Sequence, residues 1–110
     1  MDNTITALDK IISERKDASP DTSYVAQLHH EGLNKILGKI SEEATEVVLA
    51  AKEGTAGGEP ENVVKEVADL WFHSLVLLNH LGLGAHDVLE ELQKRTGVSG
   101  HVEKANRAAD

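Results

Sequence analysis

Leu33-Asn-Lys-Ile-Leu-Gly-Lys-Ile-Ser-Glu-Glu-Ala-Thr-Glu-Val-Val-Leu-Ala-Ala-Lys-Glu-Gly54 is the stretch on which the fold turns. Leu33, Ile36, Leu37, Ile40, Ala44, Val47, Val48 and Ala51 recur at spacings of three and four, the period of an amphipathic α-helix. The pattern stops at Gly54-Thr-Ala-Gly-Gly-Glu-Pro60, whose glycines and proline break a helix and suit a connection between antiparallel neighbours. Pro60 or Glu61 then opens a second long helix. Val63, Val64, Val67, Ala68, Trp71, Leu75 and Leu78 line one side of it, and it continues to about Leu81. Its second half, Leu70 to Leu78, is apolar nearly all round and predicts burial on more than one side.

Outward from this pair the signals are shorter. Thr4 or Asn3 can cap a first helix with Ile5, Leu8, Ile11 and Ile12 on one face, ending before Asp17-Ala-Ser-Pro20. Asp21, Thr22 or Ser23 can cap a second one through Val25 and Leu28 to about Gly32. Gly82-Leu-Gly84 ends the long second helix of the pair, and Val88, Leu89 and Leu92 predict a last one closing near Thr96-Gly97. Val98 to Asp110 reads as a polar, loosely packed tail. Apolar residues make up 40% of the 110 and aromatics only 3%, so the core is built from Leu, Ile, Val and Ala. The expectation is a single domain over 1–110, all-α, with four to five helices in an antiparallel bundle. A bundle this small buries a modest share of its surface, so homo-oligomerisation is expected to complete it.

Composition narrows the function classes. A formal charge of −8 argues against nucleic acid as a partner, because backbone affinity comes from clustered Lys and Arg. With no cysteine, disulfides and thiolate metal sites are excluded. No apolar run approaches the roughly 20 residues that span a bilayer, and Met1 to Lys10 lacks the basic and apolar regions of a signal peptide. No membrane association and a cytoplasmic location are expected.

The chemistry lies in two acidic motifs, Glu42-Glu43-x-x-Glu46 and Glu66-x-x-Asp69. Helical spacing puts Glu42, Glu43 and Glu46 on one face, away from the Leu33 to Ala51 stripe, and Glu66 and Asp69 on one face of the next helix, away from Val63, Val67 and Trp71. Antiparallel packing lets five carboxylates converge. Solvated acidic faces are the plain alternative. Against that reading, Glu42 and Glu46 are like charges at i, i+4, which costs roughly 0.2–0.5 kcal/mol, with Lys39 alone placed to relieve it. Neither Glu66 nor Asp69 has a Lys or Arg four residues on, and Lys65 is their one compensating cation. Carboxylates short of cations and partly removed from water favour a metal, and oxygen-only ligation selects Mg²⁺ or Mn²⁺. Such a site suits phosphoryl hydrolysis. His29, His30, His73, His80, His86 and His101 form no zinc-type spacing, so polar contacts in an interface are the expected role of His73 and His80. Trp71 reads as core or subunit interface.

These motifs, with Ser23-Tyr24-Val-Ala-Gln-Leu28, Gly32-Leu-Asn-Lys35, Lys39 to Lys52, Glu66 to His73 and Arg95-Thr-Gly-Val-Ser99-Gly100, resemble the all-α nucleoside-triphosphate pyrophosphohydrolases of MazG type. Within them, the chain is similar to the phosphoribosyl-ATP pyrophosphohydrolases of histidine biosynthesis. The resemblance implies Mg²⁺-dependent hydrolysis of 1-(5-phosphoribosyl)-ATP to the AMP derivative and pyrophosphate. It makes Glu43, Glu46, Glu66 and Asp69 the metal ligands, with Glu42 as an extra ligand, a support for the ligands or the water-activating base. It implies phosphate or ribose-phosphate contacts from Lys39, Lys52, Arg95, Ser99 and Lys104, and a homodimer. Ser41 and Val98 depart from the family, which often has Gly and Thr there. Two other functions fit the same acids: a house-cleaning pyrophosphohydrolase of (d)NTPs, and a non-catalytic helical oligomerisation module with solvated acidic faces.

Overall fold

Residues 3–97 are described in a computed structural model of the chain. They form five α-helices: α1 (Thr4–Arg15), α2 (Tyr24–Glu31), α3 (Leu33–Thr55), α4 (Pro60–His80) and α5 (Ala85–Thr96). No strand occurs among the described residues, and no helix is long and apolar enough to cross a membrane. The polar tail, with Ser99 and Lys104, lies outside the described residues.

The local chemistry accounts for the boundaries. Ser23 is extended, and its Oγ accepts from the Ala26 amide, satisfying a donor that the first turn of α2 leaves open. Gly32 closes α2 by donating its N–H to the Leu28 carbonyl. Its φ of +99° lets α3 begin at the next residue. Pro60 occupies the first turn of α4, where its missing N–H costs nothing. The short turn before it folds α3 and α4 into a helical hairpin, the most extensive helix pair of the molecule. α1 and α2 pack across that hairpin, and α5 packs on α1.

The centre of the core is Ile12, Leu28, Ile36 and Val76, one side chain from each of α1 to α4, all fully buried. Val25, Leu75 and Ala85 extend it.

Two expectations about helix faces need correction. On α3 the buried line is Ile36, Glu43 and Ala50, seven residues apart, so Glu43 lies on the inner face and not away from it. Leu33, Leu37 and Val48, expected in the apolar stripe, are exposed. On α4, Val64 and Trp71 form an outer line, 69% and 57% exposed, while Glu66, His73 and His80 at the same interval are half-buried or buried. The physical reason is shared. Both helices carry more apolar residues than one face can take, so periodicity alone does not select the side that meets the neighbouring helix. Trp71 is therefore not core within the chain.

Candidate active site

The hairpin brings the acidic motifs together along this inner face. Glu43 and Glu46 of α3 and Glu66 of α4 each place a carboxylate oxygen within 4.8 Å of the other two. Glu43 is 7% exposed, which for a carboxylate demands compensation. Oε2 of Glu43 and Oε2 of Glu66 are both buried without a hydrogen-bond partner. An orphaned buried acceptor costs about 1–3 kcal/mol.

The electrostatics show where the compensation falls short. Lys39 Nζ lies 3.0 Å from Glu42 Oε2 and 3.7 Å from Glu43 Oε1, so it answers one side of the cluster. Its hydrogen bond to Glu42 raises Lys39 above the usual lysine range and lowers the exposed Glu42 below the usual carboxylate range. No ion pair engages Glu46, Glu66 or Asp69 among the described residues. Glu66 is raised, first by a hydrogen bond with Glu46, then by burial, then by the negative charges of Glu46, Asp69 and Glu43. The raised Glu66 pKa expresses the repulsion among these carboxylates, which a cation between them would relieve.

Of the five acids expected to converge, the structure gathers three. Glu42 is exposed and turned to Lys39. Asp69 is exposed and outside the three-carboxylate group, although its charge is felt at Glu66. Lys39, expected to bind substrate, is engaged by Glu42 and Glu43. Lys52 is exposed in the last turn of α3, and Arg95 in the last turn of α5 stands 3.7 Å from Glu91. All-oxygen donors, two with unmet acceptor capacity, fit a hard divalent cation, and Glu43, Glu46 and Glu66 are the residues placed to hold it.

A second polar group joins His73 to Tyr24, a residue to which the sequence reading gave no role. His73 is buried, and its Nδ1 lies 2.8 Å from the Asp69 carbonyl oxygen. That oxygen can only accept, so Nδ1 carries the proton and Nε2 accepts from the Tyr24 hydroxyl at 2.9 Å. The contact expected of His73 is thus made inside the chain, between α2 and α4. The signal was the seven-residue step from Glu66 to His73, which puts both on one line of α4.

Five helices, with Glu-Glu-x-x-Glu and Glu-x-x-Asp motifs on the two arms of one hairpin, define the class of all-α pyrophosphohydrolases. The sequence pattern of one family, phosphoribosyl-ATP pyrophosphohydrolase, matches residues 5–96. A "Phosphoribosyl-ATP pyrophosphatase" of Hydrogenovibrio crunogenus is 59% identical over 101 residues, covering 92% of this chain and 89% of the relative. The chain belongs to the phosphoribosyl-ATP pyrophosphohydrolase family.

Proposed function

We propose that this chain hydrolyses 1-(5-phosphoribosyl)-ATP to 1-(5-phosphoribosyl)-AMP and pyrophosphate, an early step of L-histidine biosynthesis, with Mg²⁺ held by Glu43, Glu46 and Glu66. Family membership over nearly the whole chain carries the reaction and substrate. The two orphaned carboxylate oxygens carry the metal reading, because a divalent cation supplies the partner both lack. Asp69, one turn after Glu66 on α4, would complete the ligand set. Mg²⁺ supplies polarisation of the phosphoric anhydride and orientation of the attacking water.

The protein's own contribution is positional and electrostatic. Lys39 neutralises Glu42 and part of Glu43, so the cluster's residual charge is concentrated at Glu46 and Glu66. Lys52, Arg95, Ser99 and Lys104 are proposed to contact the phosphates or ribose phosphate, offsetting the −8 charge that otherwise repels so anionic a substrate. A cytoplasmic homodimer is the assembly we propose.

Pyrophosphate release from phosphoribosyl-ATP, measured with Mg²⁺ and with excess EDTA beside a panel of (d)NTPs, tests the reading. Turnover of the first compound that stops with EDTA is expected. Turnover of (d)NTPs alone would assign the chain to house-cleaning hydrolysis. No turnover of any nucleotide, with Glu46→Gln and Glu66→Gln leaving Mg²⁺ binding unchanged, would leave a helical oligomerisation module.

A further inference from the structure

Tyr24 is the first residue of α2 and is 45% exposed, although it is held on two sides. Phe72 stacks along it with ring planes 17° apart and centroids at 6.2 Å. His73 meets it edge-on at 5.8 Å, and the hydroxyl is tied to His73 Nε2. Phe72 and His73 are themselves perpendicular at 5.1 Å, so the three rings brace one another. Phe72 borders Tyr24 on one side and its far end is fixed by His73. Among the described residues no third ring packs on Tyr24, so its exposed surface is open to a ligand.

Through His73, whose Nδ1 lies 2.8 Å from the Asp69 carbonyl oxygen, the Tyr24 ring adjoins the stretch of α4 that carries Glu66 and Asp69. The charges acting on the Tyr24 hydroxyl are those of Lys39, Glu43, Glu42 and Glu31, and burial sets the main upward shift of its pKa. The chain has one Trp, one Tyr and one Phe. Trp71 faces a groove with Ile5 of α1 and Leu89 and Leu92 of α5, none of them an acid of the cluster, and Phe72 is packed against the core. Tyr24 is therefore the aromatic ring that a base held at the acidic site can reach.

We infer that the open flank of Tyr24, backed by Phe72 and pinned by His73, is the platform on which the purine ring of the substrate stacks. This rests on the proposed activity and extends it to the recognition of the base. Stacking on a rigid aromatic ring needs no hydrogen-bond code and loses little side-chain entropy. The substrate's chemistry adds a reason for tyrosine. Ribosylation at N1 makes an adenine ring strongly basic, so that it carries positive charge near neutral pH, and a cation over an aromatic face is attracted by the ring quadrupole. Glu31, Glu42 and Glu43 impose a negative field at the same place, partly cancelled by Lys39. Tyr24 is thus a binding residue for the base, and His73 is the positioning residue that holds its ring.

The test is steady-state kinetics of the full-length protein with Mg²⁺, reading KM and kcat for phosphoribosyl-ATP and the inhibition constant of inorganic pyrophosphate. Tyr24→Leu should raise KM by about tenfold or more, with kcat changing far less, because a lost base stack is a loss of uniform binding. Pyrophosphate inhibition should stay within about twofold, since pyrophosphate carries no base. Tyr24→Phe should recover most of the KM loss. Tyr24→Gln keeps a donor for His73 without the ring, and carries the same expectation if the leucine variant does not fold. A KM unchanged in Leu and Gln variants overturns the platform. So does a parallel loss of pyrophosphate inhibition, which would place the damage at the phosphate end, or a Phe variant as impaired as Leu, which would assign the effect to the hydroxyl. Absence of turnover by the unaltered protein would instead count against the proposed activity, and shows before any variant is made.

Discussion

Glu46 on α3 and Glu66 on α4 bring carboxylate oxygens within 4.8 Å of one another across the helical hairpin, and their interaction is the first cause of the raised Glu66 pKa. Two carboxylates in this relation oppose folding when both are ionised and favour it when one proton or one cation lies between them. Glu66→Gln removes the repulsion and keeps an atom that can bond to Glu46. In EDTA at neutral pH, its thermal midpoint should be at or above that of the unaltered protein. Its turnover should fall by about a hundredfold or more, because a charged ligand has gone. Differential scanning calorimetry beside the pyrophosphate assay checks both. A clear loss of metal-free stability would mean that Glu66 is a structural acid.

The existence, order and limits of the five helices were legible from apolar period and punctuation: Ser23 and Pro60 start helices, and Gly32 and Gly82 stand just past their ends. Which face of each long helix turns inward was not. Ile36, Glu43 and Ala50 share a buried line, but a reading based on hydrophobicity assigns a glutamate to the outside. Burial of a carboxylate needs compensation from neighbouring charge, and the partners that offer it to Glu43, such as Lys39 at 3.7 Å, are not encoded in the hydrophobic period. Glu42 and Asp69 were grouped with the cluster because motif spacing fixes a helical face only to within a turn. Side-chain pairing, Glu42 with Lys39, then decides which acids reach the centre. The link from Tyr24 to His73 spans 49 residues, and no local pattern encodes it.

A second acid-sensitive group lies away from the site. His29 Nδ1 and His80 Nδ1 are 2.9 Å apart with their rings stacked at 5.2 Å, so one nitrogen donates and the other accepts. Burial lowers the His29 pKa below the ordinary 6.5, helped by the charges of Lys16 and His80 and opposed by Asp17. A base whose folded pKa is depressed binds fewer protons folded than unfolded. Its contribution is complete above the unfolded value and is lost as pH falls through 6.5 towards the lower folded value. Urea midpoints measured from about pH 8 to pH 5 should therefore fall more steeply for the unaltered protein than for His29→Gln. Parallel curves would remove His29 as the cause.

Asp9 of α1 ties down the start of α5, its Oδ2 accepting from the Ala85 amide at 3.2 Å across 76 residues of sequence. The same end of α5 is closed by Asp87 Oδ2, which accepts from the Gly84 amide. Asp9→Ala leaves the Ala85 donor open and should cost about 0.5–2 kcal/mol, the range for a lost N-terminal cap. Asp9→Asn keeps an acceptor oxygen and should recover most of that. Chemical denaturation of the three proteins decides it, and equal midpoints for Ala and Asn variants would show that the charge matters and the bond does not.

The outer line of α4, Val64 and Trp71, has no covering partner among the described residues. Trp71 is 57% exposed at the mouth of an apolar groove of about 370 Å³, with Leu89 and Leu92 of α5 across from it. So much exposed apolar surface on a small bundle is the signature of an interface, and a second copy of the chain is the occupant that the proposed dimer requires. A charge placed in the groove must be desolvated for the copies to meet, whereas in a separated chain it lies in water. Leu92→Glu should therefore halve the mass found by sedimentation equilibrium while leaving helical circular dichroism unchanged, since Leu92 is 48% exposed in the single chain. An unaltered protein that sediments as a monomer would remove the dimer. A Leu92→Glu protein that keeps the dimer mass would move the interface to another face, with Val48 and Leu49 of α3, 60% and 54% exposed, the next apolar surface to substitute.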